Sequence, residues 1–324
     1  MKAAVIHHFG DVPHYEDFPD PPQPAEGEMR VQVQAVVLEN ALRAIVNGSH
    51  YASRQFLSQF PAVIGFSGIG TLENGKMVGF GGVKPPYGTL AKTAVISHGS
   101  FVNIPEGVDA VTAAALPASA LTTLFPLKWA ARFQPGETVL VQGATGVSGR
   151  QAIQVAKLLG AGRIVATGRH EESLRELEAL GADAVIDLKQ SDEALSTAFR
   201  QAAGTTGYQV ILDFIWGHPT DVLLKALIPH DLSFARKRTR LIHIGEAAGP
   251  TVSLRGDSLR TSGLEIYGAG ANLTPEALAE GTEMVWDWIK EGKLQMDIES
   301  VPLCEVADAW LRAEVHGKRL VIVP

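Results

Sequence analysis

The chain has 324 residues, 46% of them hydrophobic, a formal net charge of −7 at pH 7 and one cysteine, Cys304. That length holds two packed domains of ordinary size, and a lone cysteine excludes an intrachain disulfide framework and fits a reducing, cytoplasmic compartment. Mixed signs throughout argue against nucleic acid as the main partner; the short basic run Arg236, Lys237, Arg238 and Arg240 reads as a solvated loop that a phosphate-bearing ligand could also use.

From Met1 to about Pro117 the pattern is one of short strands and turns. An apolar start, Met1 to Ile6, has no extended apolar run of the kind a leader carries, and His7 and His8 read as facing opposite sides of a strand. A proline-rich loop, Pro19 to Pro24, precedes Met29 to Leu38 (MRVQVQAVVL), which alternates over its first half as a half-buried strand does. Gly65, Gly68, Gly70, Gly75, Gly79, Gly81 and Gly82 are too dense for long helices and suggest tight turns in a small barrel. The most apolar window, Val111 to Ala131, contains Pro117, Pro126 and Lys128 and therefore reads as two short buried helices rather than a membrane span.

Beyond Pro117 the period changes. Strands are expected at Glu137–Gln142, Arg163–Thr167, Ala184–Leu188, Val210–Phe214, Arg240–Ile244 and Leu264–Tyr267, with helices between them, which specifies a parallel doubly wound sheet. The helix Glu171–Leu180 turns Leu174, Leu177 and Leu180 inward and stops at Gly181, the residue type that best accepts the left-handed cap. A helix over Thr274–Glu291 and a last strand over Arg319–Val323 follow. Cys304, between them, reads as a small core hydrophobe.

Chemistry concentrates in Val139–Arg150, VLVQGATGVSGR. An unalternating apolar strand runs into a turn of small residues and then a helix whose apolar face begins at Ala152. The register is that of a dinucleotide fingerprint: Ala144 stands at the first glycine position, Gly146 lets a pyrophosphate approach, and Gly149 permits close helix packing. Phosphates would then face the helix N-terminus. At the end of the second expected strand an NAD site usually carries an acid for the ribose hydroxyls. Here the chain reads Ala166, Thr167, Gly168, Arg169, His170, so a small residue replaces the acid and a cation follows; this suits the 2′-phosphate of NADPH.

The segments LPASALTTLFPL, VLVQGATGVSGRQAIQVAKLLGA and LGADAVIDL, in that order, with YGTLAKTAVI near Tyr87 and the ending GKRLVIVP, resemble the medium-chain dehydrogenase/reductase superfamily, nearest its zinc-independent quinone-oxidoreductase-like branch. The resemblance implies an α/β protein: a GroES-like β-rich barrel domain from residues 1–118 and 262–324, a Rossmann domain from residues 119–261, and a ligand cleft between them. It carries nucleotide-holding roles to Thr122, to Thr145, Gly146 and Val147, and to Gly168, Arg169 and His170, and nicotinamide-side roles to Ile244, Gly245, Gly268 and Ala269. Zinc-dependent relatives have a Gly-His-Glu segment where this chain has Gly65, Phe66, Ser67, and a four-cysteine lobe that one cysteine cannot supply, so no metal is expected. On the substrate side relatives often read Leu-Asn-x-x-Asp, whereas this chain has Leu38, Glu39, Asn40, Ala41, Leu42; Asn40 or Arg43 could bond a substrate oxygen or simply face solvent, and Tyr51 falls near a family tyrosine whose phenol can donate to a carbonyl. The implied activity is hydride transfer from NADPH to a quinone, enone or related activated carbonyl, with the proton from water or Tyr51. A non-catalytic NADPH-binding redox sensor and a metal-free alcohol dehydrogenase stand as the alternatives. Family likeness also implies a homodimer through the strand near Leu264–Tyr267, an edge that would otherwise need protection.

Overall fold

Alternation in the first hundred residues becomes strand pairing. In the computed structural model, which describes residues 1–228, 238–312 and 317–324, the chain divides into two units: 1–117 with 296–324, and 118–295. The first boundary matches the expected one within a residue. The second falls at 295/296 instead of 261/262, because the strand at Leu264 and the helix after it belong to the middle unit.

The first unit contains β1 (Lys2–Ile6), β2 (His14–Asp17), β3 (Glu28–Val37), α1 (Asn40–Val46), α2 (Ser53–Phe56), β4 (Ala62–Val63), β5 (Ser67–Leu72), β6 (Met77–Gly81), β7 (Thr93–Ser97) and β8 (Phe101–Asn103). Buried Val31, Val33 and Ala35 alternate along β3, which pairs antiparallel with β7 through its first half and with β5 through its second. Of the expected turn glycines, Gly65, Gly75 and Gly82 do take positive φ. Gly68, Gly70, Gly79 and Gly81 instead lie inside β5 and β6, and at Gly70 the strands pass too close for a side chain: a Cβ there would sit 2.6 Å from the Gln32 carbonyl oxygen. His7 and His8 lie past the end of β1, not on it, and the Asp11 carboxylate accepts both of their amides.

The boundary at 117/118 falls inside α3 (Ala110–Phe125), after which the middle unit runs β9 (Thr138–Gln142), α4 (Val147–Leu158), β10 (Arg163–Gly168), α5 (Glu171–Leu180), β11 (Ala184–Asp187), α6 (Asp192–Ala203), β12 (Val210–Asp213), α7 (Gly217–Ala226), β13 (Thr239–His243), α8 (Gly256–Thr261), β14 (Leu264–Gly268) and α9 (Pro275–Lys290). α3 is a single helix carrying Pro117 in its interior, followed by a five-residue π turn from Pro126, where two short helices were expected. By length and composition Ala110–Ala130 could cross a membrane; its mean hydropathy is 1.5, and half of the window is buried. The six strands are all parallel, in the order β11-β10-β9-β12-β13-β14, so the chain reverses its direction of winding between β9 and β12. β9 and β12 are buried along their whole length, which is why their sequences do not alternate. α5 ends as expected, with Gly181 at φ 114°. The chain then returns to the first unit with β15 (Asp297–Pro302), α10 (Val306–Leu311) and β16 (Lys318–Val323); β16 pairs parallel with β15 and antiparallel with β3. Cys304 is exposed, contrary to its reading as a core residue, because Leu303 beside it takes the inward position of the short turn.

The basic run is not uniformly a solvated loop. Arg236 and Lys237 lie outside the described residues, and Arg238 pairs with Glu265. Arg240 is buried in β13, donating to the carbonyls of Ala131 at 2.6 Å and Gln209 at 3.2 Å and pairing with Glu137. A guanidinium is tolerated there because its donors all meet acceptors. Arg240→Ala should therefore cost about 3 kcal/mol, the scale for stripping one partner from a buried ion pair, read by urea unfolding; a loss under about 0.5 kcal/mol, the scale of a surface substitution, would contradict this role.

Candidate functional site

In a parallel sheet of this order ligands bind beyond the carboxyl ends of the strands, at the point where winding reverses. Here that point joins the turn after β9 to the turn after β12. The first turn is anchored to β10: Thr167 accepts the Gly143 amide on Oγ1 at 2.9 Å and the Ala144 amide on its carbonyl at 2.9 Å. Arg150, the first residue past the glycines, donates Nε to the Thr145 carbonyl at 3.2 Å and pairs with Glu176 of α5.

The glycines of the loop divide by what they do. A Cβ on Gly149 would lie 2.5 Å from both the Ala144 Cα and the Gly143 carbonyl oxygen, so the fold itself demands glycine there. Gly168 is constrained in the same way, by Thr145 Cγ2 at 2.4 Å. Gly146 is different. Its φ is −74° and ψ 166°, conformations any residue adopts, and the nearest atom to a Cβ would be 4.0 Å away. It flanks the N-terminus of α4, where no side chain caps the first turn and the leading amides have no partner within the helix. The open space beside Gly146 and those amides together form a cradle for an anionic group.

Across the second strand, Gly168 ends β10 and Arg169 follows it, exposed, with no hydrogen bond or ion pair among the described residues. His170 flanks the start of α5. On the other side of the reversal, the Ile244 and Gly245 amides both donate to the Asp213 carbonyl, at 2.8 and 3.2 Å, and the Ala269 amide to the His243 carbonyl at 3.0 Å. Gly268 is exposed at the end of β14. Residues 144–149, 168–170, 244–245 and 268–269 thus follow the carboxyl ends of strands of one sheet. Thr122 lies on α3, its hydroxyl donated to the Ser119 carbonyl at 2.8 Å.

The first unit carries the substrate-side candidates. Tyr51 is 97% exposed and its ring lies 4.2 Å from that of His50. Arg43 is not free for a substrate oxygen: its guanidinium donates to the Trp310 and Ala309 carbonyls and lies over the Trp310 ring. Asn40 is exposed at the start of α1. Burial pushes the Glu39 carboxyl above its ordinary range, tempered by the Arg319 guanidinium. A small, partly open pocket is lined by Leu42, Phe56, Leu57, Phe66, Val83 and Tyr87, among others. Periodicity gave no hint of it, because its walls come from α1, α2, β4 and three separate loops. Among the described residues, no three His, Cys, Asp or Glu side chains group as a metal site. Asp213, Thr167 and Arg150 were also missed; a lone Asp ending the run VILD was the available signal for the first.

Residues 149–283 match the family model described as zinc-binding dehydrogenase. The chain is 29% identical over 232 residues to quinone oxidoreductase-like protein 2 of Bos taurus, which takes in 70% of this chain and 64% of the bovine protein. It is 25% identical to a probable NADPH-dependent quinone reductase of Emericella nidulans over the full length of both. Among solved structures, the quinone oxidoreductase of Thermus thermophilus, determined also as its complex with NADPH, superposes with a TM-score of 0.78 at 27% identity over the whole of both chains.

The contrast between the two loop glycines is measurable without any ligand. Gly149→Ala should cost about 1–3 kcal/mol, as other overpacked sites do. Gly146→Ala should stay within about 0.5 kcal/mol of the parent, a small loss at the helix cap offsetting the gain from a stiffer unfolded chain. Thermal unfolding followed by circular dichroism reads both, and an equal loss in the two variants would erase the distinction.

Proposed function

Because the chain belongs to the medium-chain dehydrogenase/reductase superfamily, in its quinone-oxidoreductase-like branch, we propose that it is an NADPH-dependent oxidoreductase that reduces a quinone, an enone or a related activated carbonyl without zinc. Gly146 carries the reading: glycine stands where neither backbone conformation nor packing requires it, next to uncapped amides. A nucleotide's pyrophosphate gives that vacancy of side chain a purpose.

Ala144, Thr145, Gly146, Val147 and Gly149 would hold the pyrophosphate, with the leading amides of α4 as donors. Arg169, unpaired among the described residues and flanked by Gly168 and His170, would take the 2′-phosphate. Ile244, Gly245, Gly268 and Ala269 would border the nicotinamide, and Thr122 would complete the enclosure. Bound NADPH supplies the hydride; the protein supplies orientation and exclusion of water. The side chains lining the first unit's pocket are apolar and main-chain polar groups share its surface, which supports an acceptor with an aromatic or aliphatic body and a carbonyl oxygen to bond. Phe66 stands where zinc-dependent relatives have a histidine, which supports chemistry without that metal. Tyr51, whose phenol is exposed, would donate the proton that completes reduction. β14 is an edge strand with half-buried Glu265, Ile266 and Tyr267, and a second copy paired along it would form a homodimer, which solution scattering at micromolar concentration reads as mass. We place the protein in the cytoplasm on its single cysteine.

Purified protein mixed with NADPH and a panel of quinones and enones should oxidise the cofactor. Binding without turnover across the panel would favour the sensor reading, and turnover confined to alcohols with NADP would favour an alcohol dehydrogenase. Arg169→Ala should raise the dissociation constant for NADPH about tenfold or more, the scale of a lost charge-assisted bond, and leave NADH nearly unchanged; equal losses would remove Arg169 from the phosphate.

Tyr51→Phe separates the proton donor from the binding site. If the phenol donates, kcat should fall about a hundredfold, the lower end for general-acid catalysis, with NADPH affinity intact. An unchanged kcat would assign the proton to water.

A further inference from the structure

Asp213 is fully buried at the end of β12, on the strand that flanks the winding reversal. Its carboxylate meets donors on both oxygens. Oδ1 accepts the Ile215 amide at 3.0 Å and the Trp216 amide at 2.8 Å, and Oδ2 accepts the Thr220 hydroxyl at 2.6 Å and Gln142 Nε2 at 3.4 Å. The Gln142 amide also donates to Thr220 Oγ1 at 2.7 Å. One buried charge therefore ties the last residue of β9 to the turn after β12 and to the first helical turn of α7.

That turn is held in an expensive shape. Trp216 has φ 50° and ψ −157°, a region that side chains other than glycine's rarely enter, and Gly217 follows at φ 63°. Strain of this kind costs on the order of 1–3 kcal/mol and persists only where the surroundings over-determine it. The two amides on Oδ1 are those surroundings.

Held this way, the turn touches both nucleotide loops. Ile215 Cγ2 lies 2.4 Å from where a Cβ on Gly143 would stand, and the Phe214 carbonyl oxygen lies 2.7 Å from where one on Gly245 would stand. The Ala248 amide donates to the Ile215 carbonyl at 2.6 Å, and the Asp213 carbonyl accepts from Ile244 and Gly245. Residues 214–217 are thus a wedge between the loop after β9 and the loop after β13.

We infer that Asp213 is a positioning residue for the dinucleotide: by clamping residues 214–217 it sets the separation between the pyrophosphate loop at 143–149 and the nicotinamide-side loop at 244–249. This rests on the NADPH reading above. The carboxylate need not touch the cofactor, since it acts through Ile215 and Phe214. An asparagine can do most of the same work. Its Oδ1 keeps the two turn amides, its Nδ2 can donate to Thr220 Oγ1, and after a flip of the Gln142 amide the freed hydroxyl can serve Gln142 Oε1, which is buried and unpaired.

The test compares three full-length variants, Asp213→Ala, Asp213→Asn and Leu195→Ala, the last a core cut in α6 chosen to match the loss of melting temperature. NADPH dissociation constants come from nicotinamide fluorescence, and hydrogen exchange is read on nucleotide-free protein. Asp213→Ala should raise the NADPH dissociation constant at least tenfold, Leu195→Ala should stay within twofold of the parent, and Asp213→Asn within threefold. Exchange at 143–149 and 244–249 should speed up in Asp213→Ala and not in Leu195→Ala. Equal shifts in the two alanine variants, or an asparagine variant as weak as the alanine one, would overturn the inference. If Asp213→Ala does not fold, Thr220→Val replaces it: a three- to tenfold weaker dissociation constant supports the clamp and an unchanged one overturns it. A parent protein that fails to bind NADPH defeats the earlier reading instead, and exchange in the apo protein still decides whether Asp213 holds the two loops.

Discussion

Helix α4 returns so close to the strand it leaves that no side chain fits at Gly149, where a Cβ would stand 2.5 Å from the Ala144 Cα. Everything at the nucleotide edge follows from that approach. It brings the uncapped end of α4 to the carboxyl end of the sheet, where the leading amides converge on one point. Gly168 against Thr145 and Gly245 against the Phe214 carbonyl repeat the same economy, chain passing chain without an intervening Cβ. Gly146 is the exception, being small where nothing in the protein presses on it.

The charges of the middle unit sort by burial. Arg240 and Asp213 are buried and surrounded by partners of opposite hydrogen-bonding character, so their electrostatics are spent on architecture. Arg169 is exposed at the sheet edge and has no partner among the described residues, which is the state of a cation available to a ligand. In the first unit Arg43 is committed to main-chain carbonyls and the side chains that line the pocket are apolar.

How far the sequence could be read depended on whether a feature was local. The six parallel strands, the cap at Gly181 and the close packing at Gly149 were legible because each rests on a short pattern whose physics acts within a few residues: buried runs, a left-handed cap, a strand-to-helix turn. The fate of Pro117 was not, since a proline inside a helix is permitted or forbidden by neighbours that propensity does not include. Cys304 and Arg240 exchanged their expected places for a related reason: composition puts thiols inside and guanidinium groups outside, yet Leu303 claimed the inward position and three acceptors awaited the arginine.

The amino-acid sequence by itself determined the class of the fold, the place of the small-residue turn between β9 and α4 and the cation that follows β10, because periodicity, glycine spacing and residue type are properties of neighbours along the chain. Only the tertiary structure decided which glycines the packing demands and which it leaves open, that β14 and α9 complete the middle unit, that Arg43 is spent on carbonyls, and that Asp213 braces a strained turn between two loops. Those facts depend on distances between residues far apart in the chain, such as Arg43 and Trp310 at a separation of 267. No local pattern encodes which carbonyl a guanidinium will find, or how closely two loops will pass; burial and hydrogen-bond satisfaction across the whole unit settle both.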